Sequence, residues 1–328
     1  MTTTTKTIIK LFNDEYDAFT RIHNVVFTDF AQSADEFRFD DSKRPERCRH
    51  ARWIAEQDGE AVAYAQYDQH ASIFDPHRFA LEIGVDPEHV QQGMGTALYD
   101  TVVDALRPLQ PTNLSTWCRD DMPCYLRFLH NRGFAETMRM WVSELDVATY
   151  DPRPFETYTR AVLDDGVEIK SRAELVGDPD LDRNLFDLWC EVRQDMPLPP
   201  GEVRSDMTFE EWSEYQNHPS RLDDGYFVAF VDGRLVGTSQ LWLSLDEPDM
   251  LRTGLTGVRR AYRRRGIAFA LKLRALDFAR TVPGIRRVIT DNASTNRPML
   301  AINEALGFVK KPAWVHFAAD WAAASARR

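Results

Sequence analysis

Only four cysteines occur in 328 residues: Cys48, Cys118, Cys124 and Cys190, no two of them spaced as a CxxC pair. This excludes a disulfide-built scaffold and reads as reduced thiols in packing roles. The eight histidines are scattered without an HExxH pair, so no metal site is expected. No apolar run approaches the roughly 18 residues of a membrane span, and residues 1–6 carry no apolar leader segment. A cytoplasmic protein without a membrane partner is expected. A basic excess is missing as well. The chain has 40 Lys+Arg against 51 Asp+Glu, a net charge of −11, which argues against a nucleic-acid partner. No Gly-Lys pair exists, so there is no P-loop. Gly93-Met-Gly95 continues as Thr-Ala-Leu98, which lacks the third glycine of a dinucleotide fingerprint.

What is present is a repeat. Asp58, Gly59, Val62 and Gln66 recur 174 positions later as Asp232, Gly233, Val236 and Gln240. Val85 and Gly93 recur 173 positions later as Val258 and Gly266, and Gly133-Phe134 recurs after 174 as Gly307-Phe308. A unit of half the chain is too long for a solenoid repeat, so the reading is two domains, 1–155 and 156–328. Each copy shows one order of elements. An early strand (7–11; 167–170) precedes a helical region (15–27; 182–193). An Asp-Gly turn then joins two alternating strands as a hairpin. A further strand enters a glycine-containing loop and a long helix (95–106; 267–280) with apolar residues at helical spacing. A strand, a short helix and the Gly-Phe pair close the copy, the glycine suiting a left-handed helix cap. Residues 146–166, rich in Pro, Asp and Gly, read as a turn-rich link.

The loop before the long helix carries the clearest chemistry. In the second copy it reads Val258-Arg259-Arg-Ala-Tyr-Arg263-Arg264-Arg265-Gly266-Ile267-Ala268. A helix start presents unpaired N–H groups and a positive dipole end. Gly266 and Ala268 leave the backbone uncovered, and the arginines offer fixed charge and bidentate donors for phosphate. The first copy has the same backbone logic at Val85, Gln91, Gln92, Gly93, Gly95 and Thr96, with Val90 and the two glutamines where the second copy has arginines.

This arrangement resembles the GCN5-related N-acetyltransferase (GNAT) superfamily, present twice in tandem as in mycothiol synthase-like proteins. Its R/Q-x-x-G-x-G/A signature corresponds to Arg263, Gly266 and Ala268. A second signature corresponds to Asn292 and Asn296, followed by Asn303-Glu-Ala-Leu-Gly307-Phe308. The resemblance implies an α/β (α+β) fold of two domains, each a mixed, mostly antiparallel sheet flanked by helices. It also implies acetyl-CoA as cofactor and acetyl transfer to a primary amine of a small molecule, mainly through the second copy. A homodimer is compatible with it. Two alternatives stand beside this expectation: a non-catalytic CoA-binding scaffold, and a protein or peptide N-acetyltransferase.

The candidates for chemistry are fewer. Thr256 lies just before the loop and could face the acetyl group. The family often has a tyrosine four residues before the closing glycine, and here Asn303 stands in the second copy and Leu129 in the first. An amide cannot usefully donate a proton at neutral pH. His316 has a suitable unperturbed pKa for a base. Glu82 occupies the strand position where the family often carries an acid. Asp195 and Glu202, in a Pro-rich segment of the second copy, could meet a cationic amine.

Overall fold

The computed structural model describes residues 7–326. The reading of residues 1–6 as lacking a leader falls outside it. The chain divides into two compact units, each of which takes segments from both halves of the sequence. One comprises the residues up to 139 together with 198–207 and those from 312 onward. The other comprises 140–197 and 208–311.

The elements of the first half are β1 (Thr7–Leu11), α1 (Tyr16–Val26), α2 (Ala34–Ser42), β2 (Ala51–Gln57), β3 (Glu60–Asp68), β4 (Arg78–Val85), α3 (Met94–Leu106), β5 (Asn113–Arg119), α4 (Pro123–His130) and β6 (Ala135–Asp146). Those of the second half are α5 (Glu156–Asp164), β7 (Val167–Ser171), α6 (Leu181–Val192), α7 (Phe209–Tyr215), β8 (Arg221–Val231), β9 (Arg234–Leu243), β10 (Met250–Val258), α8 (Ile267–Ala279), β11 (Arg287–Ala293), α9 (Arg297–Ala305), β12 (Val309–Lys310), β13 (Trp314–Asp320) and α10 (Trp321–Ala326).

In the first unit the strands run β1-β2-β3-β4-β5-β13, antiparallel except for β4 with β5. In the second they run β6-β11-β10-β9-β8-β7, antiparallel except for β10 with β11, and β12 lies on β6. The closing strand of each repeat is therefore exchanged. β13, from the end of the chain, pairs with β5, and the 140–146 part of β6 pairs with β11. A cut at residue 155 would remove a strand from each sheet, so the boundary expected between 155 and 156 does not follow the compact units. An alternating strand carries no label for its partner, so the repeat register alone could not show this.

The hairpin turns are as the dipeptides require. Asp58 and Gly59 both have positive φ (53° and 90°), as do Asp232 and Gly233 (49° and 73°). Two left-handed residues give the tight turn that matches strand twist. The core of the first unit packs Phe79, Leu81 and Leu114 of the sheet against Leu98, Val102 and Leu106 of α3. That of the second packs Val236, Leu251 and Val288 against Ile267, Leu271 and Leu276 of α8. Each such buried side chain contributes about 1.5–3 kcal/mol over exposure. The link read as turns contains a helix, α5, whose Tyr158 meets Phe269 edge-on at 5.0 Å. Its apolar face had no place in a reading based on turn residues.

Candidate active site

In both units one parallel strand pair parts early. β10 and β11 pair only through Met250↔Arg287, Leu251↔Val288 and Arg252↔Ile289, although both strands continue. β4 and β5 pair only through Arg78↔Asn113 to Ala80↔Ser115. Beyond these points each unit opens a cavity against the start of its long helix, about 820 Å³ in the second unit and about 190 Å³ in the first. β10 also changes register against β9 between Thr253 and Thr256, while β4 runs against β3 without a break. Such a bulge re-aims the backbone beside the opening.

The loop at the mouth of the larger cavity has a specific backbone. Gly266 caps α8 with φ +79°, and Arg264, two residues earlier, is also left-handed at +64°. Gln91 and Gly93 repeat this pair at +62° and +85°. A non-glycine residue held there costs of order 1–3 kcal/mol, and such strain gathers at ligand sites. The first amides of α8 have no acceptor within the helix and lie at the positive end of its dipole.

Thr256, Val258, Arg263, Arg264, Gly266, Ile267, Ala268 and Asn296 line this cavity. Arg259, Arg265 and Asn292 do not. The expected pool of five arginine charges is largely spent on carboxylates from distant segments. Arg259 Nη1 donates to Glu191 Oε2 at 2.6 Å. Arg260 Nε donates to Asp195 Oδ2 at 3.0 Å, and Arg263 binds the same carboxylate. Arg265 Nη2 reaches Asp165 Oδ2 at 2.7 Å. Arg264 makes no ion pair or side-chain hydrogen bond among the described residues, and it is one of the residues lining the cavity. Asp195 also lines this cavity, with its carboxylate paired to Arg260 and Arg263, which hold it well below the usual range.

The predicted catalytic residues separate. Thr256 Oγ1 shares a hydrogen bond with Ser239 Oγ at 2.9 Å on the wall of the larger cavity. Asn303, 2% exposed, donates from Nδ2 to Asn292 Oδ1 at 2.6 Å. His316 lies on β13 and so belongs to the first unit, contrary to its assignment to the second copy. Its Nδ1 is 2.6 Å from Thr137 Oγ1 and its Nε2 is 3.5 Å from Glu202. Burial, with Arg78 nearby, lowers its pKa to about 4. Glu202 also belongs to the first unit, on the 198–207 segment that hydrogen-bonds to Ser72 and Phe74. Glu82 is on β4, where its Oε1 accepts from Tyr64 Oη at 2.6 Å and Gln66 Nε2 at 3.1 Å. In the first unit Val85, Gln91, Gly93, Gly95 and Thr96 line the smaller cavity, while Gln92 turns back to Glu88 O.

Two residues of interest escaped the sequence reading. Asp291 stands two positions beyond the last β10–β11 pair, and burial raises its pKa. Strand alternation around Asn292 was the available signal. Tyr125 lies one helical turn before Leu129 on the same face of α4, and its hydroxyl accepts from Val85 N–H at 3.3 Å. The family's tyrosine position corresponds to Leu129 here, so the motif gives no signal for a tyrosine one turn earlier.

Two diverging-strand clefts with left-handed glycine caps define an acyltransferase-type architecture built twice. The chain belongs to the acetyltransferase (GNAT) family, whose model matches residues 10–134 and 187–308. Members transfer acyl groups and generally use acetyl-CoA. No curated protein matches the sequence. Among solved structures, the chain is similar to a tandem GNAT protein from the clavulanic acid biosynthesis pathway, solved without acetyl-CoA (18% identity, 96% of this chain and 99% of that chain covered, TM-score 0.73). It is also similar to a GCN5-related N-acetyltransferase from Sphaerobacter thermophilus (20% identity, 96% of each chain covered, TM-score 0.68). At these identities the likeness is one of fold. No helix among the described residues is long and apolar enough to cross a membrane.

Proposed function

We propose that the chain is an acetyl-CoA-dependent N-acetyltransferase that acetylates a primary amine of a small molecule, and that the unit carrying Arg264 and Gly266 holds the cofactor. The observation that carries this reading is the cavity of about 820 Å³ where β10 and β11 part, lined by Thr256, Arg264, Gly266, Ala268 and Asn296. Its size suits an extended cofactor, and its mouth combines helix amides with one uncommitted guanidinium. When bound, acetyl-CoA supplies an acyl group activated as a thioester.

The chain's own part is to bind and orient. Arg264 and the first amides of α8 hold the anionic end of the cofactor. Thr256, anchored by Ser239, fixes the wall beside the bulged strand. Asn303, tied to Asn292, donates no proton to a leaving thiolate.

A calorimetric acetyl-CoA titration of wild type and Arg264→Glu tests the site. One site in wild type, lost in the variant, supports the assignment, and equal affinity overturns it. Gly266→Glu is a poorer probe, because a Cβ there would clash with the Tyr158 hydroxyl. Thiol release in the presence of small primary amines tests turnover. The tie between Asn303 and Asn292 favours a second reading, a CoA-binding protein without turnover. Tight binding with no amine-dependent thiol release would establish that one.

A further inference from the structure

The cleft of the first unit keeps the shape of a ligand site without its charge. β4 and β5 diverge beyond Ala80↔Ser115, and the opening between them reaches the start of α3. Its walls include Leu81, Ile83, Trp117, Phe128, Leu129 and Trp314, and no lining side chain is charged. Where the other unit has Arg264 at the left-handed turn, this one has Gln91. Its amide donates across the mouth to Cys124 Sγ at 3.1 Å. Tyr125 Oη accepts from Val85 N–H at 3.3 Å, so the chain itself satisfies a backbone donor beside the opening. The residue one repeat on from Tyr125 is Met299, which has no hydroxyl to do the same.

These contacts select against an anion. A diphosphate brought into this cleft would lose its hydration and gain no cation, which is costly. A neutral apolar molecule meets no such penalty. An apolar cavity of about 150 Å³ is large enough to bind benzene, and the volume here is about 190 Å³. The rings of Trp117, Trp314 and Phe128 offer faces and edges to another ring.

We propose that the cleft between β4 and β5 binds a small, neutral, ring-shaped apolar molecule of benzene to indole size. This rests on the other unit, and not this cleft, holding the cofactor, and indole binding with protection of Cys124 reads the cleft separately from that assignment.

The test is a calorimetric titration of the full chain with indole, together with site-resolved alkylation. Cys124 is exposed and lines the cleft, while Cys190, in the other unit, serves as reference. Gly95→Leu fills the cleft. A Cβ there meets Phe128 and Val85 at an ordinary 3.8 Å, and the helical backbone accepts the change. Indole is expected to bind wild type one to one and to slow alkylation of Cys124 but not of Cys190. In Gly95→Leu its affinity falls about tenfold or more, the scale of overpacking a small site, while acetyl-CoA affinity stays unchanged. Three results overturn the proposal: no binding of indole with no protection of Cys124, equal affinity in Gly95→Leu, or protection of Cys124 by acetyl-CoA. If Gly95→Leu does not fold, protection in wild type decides alone.

Discussion

The Asn303 amide donates to Asn292 Oδ1 at 2.6 Å, and its own Oδ1 is buried without a partner. The position that the family often gives to a proton donor is here a strut between α9 and β11. Replacing Asn303 by Leu strands the Asn292 carbonyl and should cost about 1–3 kcal/mol of stability. In denaturant unfolding this appears as a lower midpoint, while kcat of the folded enzyme changes by less than about threefold. A fall in kcat of about a hundredfold at unchanged stability would return Asn303 to the chemistry.

Lys272 is 3% exposed on α8, with its Nζ 5.3 Å from the Phe308 ring centre and no ion pair among the described residues. Burial lowers its pKa to about 8, partly opposed by Asp291. The unfolded chain keeps this proton up to about pH 10.4. Between pH 8 and 10.4 the unfolded state therefore binds more protons, and stability rises with pH in that window. Lys272→Met should be more stable than wild type at pH 7 by about 1–3 kcal/mol. The difference should shrink as pH rises through the window, and a constant difference would show that the charge is not the cause.

His316 gives the opposite end of the pH range. Its folded pKa of about 4 lies below the unfolded value of about 6.5. The stability that the neutral ring supplies is complete above pH 6.5 and is lost as pH falls toward 4. His50, lowered to about 4 chiefly by burial, adds to the same loss. His316→Gln should flatten the stability curve between pH 6.5 and 4 and leave the His50 part. An unchanged slope would place the titration elsewhere.

Arg264 should carry the salt dependence of cofactor binding. Arg264→Ala is expected to weaken acetyl-CoA binding about three- to tenfold at low salt and less at high salt, since an exposed charge is screened. Arg265→Ala, which frees Asp165 rather than a ligand contact, should have the smaller effect. Equal losses in the two variants would mean that the cluster acts only through its summed field.

Asp58-Gly59 and Asp232-Gly233 announce their hairpins, because few residues other than glycine and its short polar neighbours accept left-handed φ. The Arg263–Ala268 loop was legible for the same reason, since small residues before an apolar helical stripe point to a backbone-built anion site. The charge of that site was not legible. It depends on Glu191, Asp195 and Asp165, which lie 68, 65 and 100 positions from the arginines they hold. Local pattern is blind to such pairs.

By itself the sequence determined that one domain is written twice, that each copy turns a strand into a helix at a bare backbone, and that the second copy carries arginines there where the first carries glutamines. Those features rest on periodicity, turn chemistry and spacing, which act over a few residues. The tertiary structure alone decided where the last strands pair, and with that it moved His316 into the first unit beside Glu202. A strand's alternation states which face is buried but not which neighbour it joins. The choice of neighbour, and the pairing of distant charges that follows from it, is made only when the chain packs.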